Sequence, residues 1–213
     1  MIPLRDAGRL ERRPWASGAL LVVLVLGYVA QHIWPALTPA MGLTPSAMRW
    51  STLLTHPWLH ATPLHLIGNL VFLFAFGPAV ENVLGARRMV ILFVLSGAAG
   101  GLAKLAVDPT SVYPMIGASG AISGVLAAAI VLGSRRRVLA WTPYFIVVQL
   151  VEVPIWVFVV IWLGLQLGLA WLALDADIAT SPFAHLGGFL AGMVITYALH
   201  ARGRSSSGSE TKS

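Results

Sequence analysis

Cysteine is missing altogether from the 213-residue chain, which excludes disulfides, thiolate metal sites and cysteine nucleophiles. Charge is nearly missing too. Asp, Glu, Lys and Arg make up 10% of the residues, against roughly a quarter in a soluble domain. That is too little polar surface to wrap a water-soluble globule. Internal repeats are also absent, and the halves show no inverted duplication of the kind many transporters carry. What the chain has in quantity is hydrocarbon, with 57% hydrophobic residues and a mean hydropathy of +0.81. Its solvent for most of its length is lipid. A helix crosses a bilayer with roughly 20 apolar residues, so this length holds about six spans with short loops and no second domain.

The apolar runs fall at 17–34, 63–82, 89–107, 117–133, 154–174 and 183–200. They predict an all-α integral membrane protein with six transmembrane helices over 17–200. A cytoplasmic segment, 1–16, precedes them and a disordered cytoplasmic tail, 201–213, follows. The interruptions are loop punctuation: Pro35 and Pro39, Gly85 to Arg88, Asp108 and Pro109, Arg135 to Arg137, and Asp175 to Pro182. The first span has the basic lead and apolar core of a signal peptide, but no convincing small-residue cleavage site follows, so it reads as a retained helix. Residues 138–153 are apolar but broken by Pro143 and Pro154, and read as an interfacial segment leading into the fifth span. A seventh span there would reverse the last helix.

The placement of base supports this count. Arg5, Arg9, Arg12 and Arg13 precede the first span, Arg87 and Arg88 follow the second, Arg135 to Arg137 follow the fourth, and Arg202, Arg204 and Lys212 follow the sixth. With a cytoplasmic N-terminus all lie on the cytoplasmic side; only Arg49 and Lys104 of the 14 Lys and Arg lie elsewhere. The formal charge of +6 is thus topological. Spread over four segments, it forms no patch for nucleic acid. The short loops and the lack of an organellar presequence suggest a bacterial cytoplasmic membrane.

Polar groups inside lipid are costly, and so are functional candidates. His56, His60, His65 and Asn69 lie around the start of the second span, Ser119 and Ser123 begin the fourth, and His185 begins the sixth. By the topology above, all three helices start at the outer face, so these residues share one depth that water can reach. His65 and Asn69 are four apart and share a helix face, as do Ser119 and Ser123. Gly120 and Gly124 on one helix, and Gly188 and Gly192 on the other, are small-residue stripes that allow close approach. If the stripes pack together, Ser119 and His185 meet as nucleophile and base, with Asn69 and His65 placed to donate to an oxyanion. Taken alone, each feature has a plainer reading. GASGAISG is helix-packing glue, a lone His or Asn marks an interhelical hydrogen bond, and His56 and His60 are interfacial. His32 and His200 are interfacial as well, Glu81 caps or anchors the cytoplasmic end of the second span, and Lys104 snorkels outward. Trp15, Trp34, Trp50, Trp58 and Trp141 fit interfacial belts.

Several of these strings together resemble the rhomboid protease family, from about residue 50 to 195. They are HPWLHATPLHLIGN ending at Asn69, GPAVENVLGARR ending at Arg88, GASG at Gly117 to Gly120, VEVPIWVFVVIWLGLQL before the fifth span's end, and AH..G...G from Ala184 to Gly192. The resemblance implies a rhomboid-like helical bundle that hydrolyses peptide bonds in the transmembrane segments of protein substrates. It implies a Ser119–His185 dyad without a carboxylate, and an oxyanion held by the Ser119 N–H, Asn69 and His65. His60 would structure the site or its water supply, and Gly117, Gly120, Gly124, Gly188 and Gly192 would let the helices close up. No metal or cofactor is implied. The loop from Trp34 to Pro57 would be the membrane-embedded first loop, and the fifth span the side gate for substrate. One departure stands out. Some members carry an aromatic residue four after the nucleophile, stacked on the catalytic histidine. Here that position is Ser123, so a hydroxyl hydrogen bond or close packing must orient His185. The alternatives are a catalytically silent rhomboid-like protein that escorts transmembrane helices, or a small transporter.

Overall fold

A computed structural model describes residues 2–6, 10–133, 137–144, 147–172 and 182–207. Helix α1 runs Trp15–Ile33. A broken loop follows, with short helices α2 at Leu37–Met41 and α3 at Thr52–Thr55 and two 3₁₀ turns at Pro45–Ala47 and His56–Trp58. The long helices then continue as α4 Pro63–Leu84, α5 Ala86–Val107, α6 Ser119–Gly133, α7 Ile155–Leu172 and α8 Pro182–Ser207. Among the described residues, four stretches are long and apolar enough to cross a membrane: α1, α4, α5 and Pro182–His200 of α8. Ser119–Gly133 and Ile155–Leu165 are shorter apolar helices. Valines and leucines such as Val22, Leu26, Leu165, Leu190 and Val194 face outward, exposed around the bundle. A water-soluble protein does not carry so extensive an apolar surface. The chain is a multi-pass integral membrane protein.

The helix ends follow local chemistry. Thr62 caps α4, its side chain accepting from the His65 N–H at 3.1 Å, and Pro63 occupies the first helical position, where no donor is needed. Gly85, at φ +82, separates α4 from α5 in a single residue, a conformation that costs glycine little. The start of α1 is capped from another helix. Glu81 Oε1 accepts from the Ala16 N–H at 2.8 Å, and Oε2 accepts from the Ser17 N–H and hydroxyl, each at 2.7 Å. The expected capping role of Glu81 therefore falls on α1, satisfying donors that have no intrahelical acceptor. Asn82 beside it accepts from the Glu11 and Arg12 N–H groups at 2.8 and 3.0 Å.

Three features depart from the sequence expectations. The bundle carries a three-stranded antiparallel sheet in the order β1-β2-β3, with β1 at Ile2–Asp6, β2 at Arg137–Tyr144 and β3 at Val147–Pro154. The segment read as interfacial is thus a hairpin paired with the N-terminal segment, Ile2 opposite Trp141 and Arg137 opposite Pro154. Its valines, and the prolines that bar a continuous helix, explain the choice. Helix α8 continues to Ser207, past the expected start of a tail at 201, because no proline stops it; 208–213 lie outside the described residues. Lys104 pairs with Asp108 at 2.6 Å, one turn on at the end of α5, the direction in which it was expected to reach, and so is no departure. Trp58, assigned to a belt, stacks on Phe93 at 5.6 Å.

Close approach of backbones sets the core. A Cβ added to Gly188 would collide with the Gly120 backbone, and one added to Gly192 with the Gly124 backbone. The two small-residue stripes therefore face each other, and α6 and α8 pack with almost nothing between them. On the α5 side, a Cβ on Gly100 would sit 2.7 Å from the Ala184 carbonyl. Helices α5, α6 and α8 thus form a tight trio, and the starts of α6 and α8 are brought to the same level.

Candidate active site

Helix α6 is short. Its 15 residues rise about 22 Å, less than the roughly 30 Å of hydrocarbon they would have to cross. Ser119 is its first residue, and the preceding Gly117 and Ala118 are buried non-helical backbone, tolerable at depth only where protein encloses it. Two contacts hold that backbone: the Gly117 N–H donates to the His56 carbonyl at 3.0 Å, and Met115 and Leu43 exchange hydrogen bonds at 2.8 and 3.0 Å. Gly117 is at φ +129, and a Cβ there would meet the His65 ring at 2.5 Å, so only glycine fits both the turn and the imidazole against it. The Ala118 carbonyl accepts the Ile122 N–H at 2.9 Å. The Ser119 N–H stands ahead of this ladder, among the donors a helix start leaves free.

Ser119, His185, His65 and Asn69 all line one cavity of about 200 Å³, with Leu64, Gly68, Phe72, Ile122, Ser123, Leu126 and Trp162. A smaller void of about 20 Å³ lies behind it, bounded by His56, Gly117, Gly120 and Ala184 and again by His65, Ser119 and His185. Neither is lined by a carboxylate among the described residues. Asn69 is buried, and its Nδ2 has no hydrogen-bond partner in the described protein. Buried amide donors are nearly always paired, so this one marks a position where an acceptor belongs. His60 lies outside the large cavity with its ring edge-on to His65, centroids 5.3 Å apart. Of the supporting glycines, Gly117 and Gly120 line the smaller void, while Gly124, Gly188 and Gly192 lie along the helix contact.

Residues 47–202 match the Rhomboid domain. The chain belongs to the rhomboid family. It is 31% identical over 160 residues to RHOMBOID-like protein 5 of Arabidopsis thaliana, covering 75% of this chain and 47% of that protein. To the Rhomboid protease GluP of Bacillus subtilis (strain 168) it is 36% identical over 88 residues, 41% of this chain and 17% of the relative. RHOMBOID-like protein 7 of Arabidopsis thaliana is 30% identical over 152 residues, 69% and 42% of the two chains. The rhomboid chain thus spans less than half the length of these relatives.

Around this rhomboid site Gln31, Arg49 and Trp162 were not evident from sequence, and the structure adds detail for the residues that were. His56 and His60, candidates from the sequence whose plainer reading was interfacial, are 2% and 0% exposed. Burial pushes both imidazoles down to about 4; the Gly97 backbone opposes this weakly at His56, and the charge of His65 adds to it at His60. Gln31 clamps the loop, its Nε2 donating to the His60 carbonyl at 2.7 Å and its Oε1 accepting the His60 N–H at 2.8 Å. A glutamine in an apolar span was the available signal. Arg49 donates to the Pro39 and Ala40 carbonyls, both at 2.7 Å, tying down the first loop. Ser123 does not turn to His185. Its hydroxyl donates to the Ser119 carbonyl at 2.6 Å, within α6. The aromatic ring beside His185 comes instead from α7: Trp162, centroids 6.2 Å apart.

Proposed function

We propose that this rhomboid protein is an intramembrane serine endopeptidase, cutting transmembrane segments of membrane proteins with a Ser119–His185 dyad. The observation that carries the reading is one cavity shared by a helix-leading serine, a histidine and a buried, unpaired amide donor. Ser119 Oγ attacks the scissile carbonyl carbon and its proton passes to His185. The oxyanion is held by the Ser119 N–H at the positive end of α6, the Asn69 amide and the His65 ring. Collapse expels the amine, which takes the proton from His185 and leaves an acyl-enzyme. Water, deprotonated by His185, then attacks the ester carbon and returns Ser119. His60 and the five glycines support this geometry without touching substrate.

The substrate must unwind locally, because a helix hides its carbonyls in hydrogen bonds. Segments with helix-weakening residues near their outer end unwind at least cost. Six spans with both termini cytoplasmic, in a bacterial cytoplasmic membrane, agree with the placement of arginine and lysine. The partners are transmembrane substrates and lipid, with no cofactor, metal or nucleic acid.

The test is fluorophosphonate labelling of the detergent-purified protein, with cleavage of a panel of transmembrane substrates. Wild type is expected to label and cut, while Ser119→Ala and His185→Ala lose both. A folded wild type that neither labels nor cleaves overturns the protease reading in favour of a silent helix-binding rhomboid protein.

A further inference from the structure

A groove of about 560 Å³ lies away from the site, between α1 and α4. Its walls run from Leu21 to Leu26 on α1 and from Leu70 to Phe74 on α4, and every lining side chain is hydrocarbon. The groove follows from how α1 is held. At its start α1 is tied to α4, where Glu81 caps it and a Cβ on Gly77 would lie 3.0 Å from Ser17 Oγ. Towards its other end α1 leans on the loop instead. A Cβ on Gly27 would collide with the Trp58 carbonyl, and Gln31 is bonded to the His60 backbone. Membrane helices dock on one another through small residues that let backbones approach, and this lining has none. Branched and aromatic walls of this kind seat flexible hydrocarbon.

Base stands at one end of the groove. Asn82 Oδ1 accepts the N–H groups of Glu11 and Arg12, fixing the segment before α1 against the end of α4. Arg12 and Arg13 are exposed there, next to an exposed Trp15, a residue type that settles at head-group level. Glu81 at the same joint has both oxygens committed to α1, and Glu11 is the one acid between Leu10 and Pro14. Arg87 and Arg88 open α5, just past the end of α4. At about 1.5 Å per residue, Leu21 to Leu26 stand about 9–16 Å from Trp15, and Phe74 to Leu70 about 15–21 Å from Leu84. Half of a roughly 30 Å hydrocarbon core is about 15 Å. The groove therefore occupies the depth an acyl chain reaches when its head group sits at Arg12 and Arg13.

We propose that this groove and the arginines at its end bind one anionic phospholipid of the adjoining leaflet. The acyl chain lies between α1 and α4, and the phosphate accepts charge-assisted hydrogen bonds from Arg12 and Arg13. A zwitterionic lipid offers the same chain but brings a cation to the arginines, so head-group charge selects the occupant. The site stands independently of the protease reading.

The test places the full chain in phosphatidylcholine nanodiscs holding a small fraction of phosphatidylglycerol with a diazirine on its acyl chain, and maps the adducts by peptide mass spectrometry. Adducts gather on residues 21–26 and 70–74 in excess of the comparably exposed Leu190 and Val194 of α8. Phosphatidylcholine carrying the same diazirine shows no such excess. Arg12→Gln and Arg13→Gln lower the groove adducts roughly fivefold for each arginine removed and leave those on α8 unchanged. Val25→Phe, which fills the groove, lowers them with both arginines intact. Equal labelling by the two lipids, or adducts indifferent to both arginines, overturns the proposal and makes the groove ordinary lipid-facing surface. Displacement by free glycerol phosphate overturns it too, since the arginines then bind phosphate without the groove. An unlabelled groove in a protein that runs as a dimer overturns it in favour of a second copy of the chain.

Discussion

Asn69 and Glu81 are both buried polar residues on α4, three turns apart and each in an otherwise apolar helix. Their hydrogen bonds close differently. Both oxygens of Glu81 are taken up by the start of α1, so the carboxylate is a cap supplied from outside its helix. The Nδ2 of Asn69, like the ring nitrogens of His60 nearby, has no partner in the described protein. A buried polar group in a membrane bundle is expensive in either case. What differs is whether the protein itself supplies the partner. Where it does, the residue holds the fold; where it does not, the residue is available to something that arrives. The two ends of α4 separate structure from chemistry.

That contrast breaks most sharply at Asn69. Asn69→Ala is expected to lower kcat by about 10²–10³-fold, the cost of one oxyanion donor, with thermal stability close to wild type. A drop in stability matching the drop in rate would place Asn69 with Glu81 as a structural residue. Glu81→Ala should do the reverse. It strands the donors of Ala16 and Ser17 and should cost about 2–3 kcal/mol in unfolding experiments, while the folded fraction keeps its kcat.

Acid should distinguish the ends as well. With folded pKa values of about 4, below the ordinary 6.5, His56 and His60 stay neutral in the fold after they would protonate in the unfolded chain. Their contribution is therefore complete above pH 6.5 and is lost progressively as pH falls towards 4. Melting curves should show Tm decreasing across that window, and His56→Asn should flatten the decrease. An unchanged slope would mean that another group carries the acid sensitivity. The smallest effect belongs to Lys104. Its pair with the partly exposed Asp108 is worth well under about 1 kcal/mol, so Lys104→Ala should leave both stability and kcat nearly unaltered.

Much of the site was legible because its logic is local. Four-residue spacing places His65 with Asn69, and the glycine stripes Gly120–Gly124 and Gly188–Gly192 mark helix faces before any partner is known. Other features were not legible. Strand β1 pairs with residues more than 130 positions away, and nothing in either segment names the other. Trp162 looks like one more apolar residue of the fifth span until α7 is in place, and the burial of His56 shows only once the first loop is folded. Glu81 was expected to cap or anchor, but the helix it caps is α1, 64 and 65 positions earlier in sequence.

By itself, the sequence determined the solvent of this protein, the apolar segments and the chemistry available. Hydropathy, charge placement and residue type are properties of short windows. Only the tertiary structure decided which groups meet: that Gly188 lies on Gly120, that Ser119 and His185 share a cavity, that Glu81 is satisfied, and that an indole from α7 lies beside the histidine ring. Those outcomes depend on backbone approach and side-chain direction between segments far apart in the chain, where no local pattern carries information about the partner.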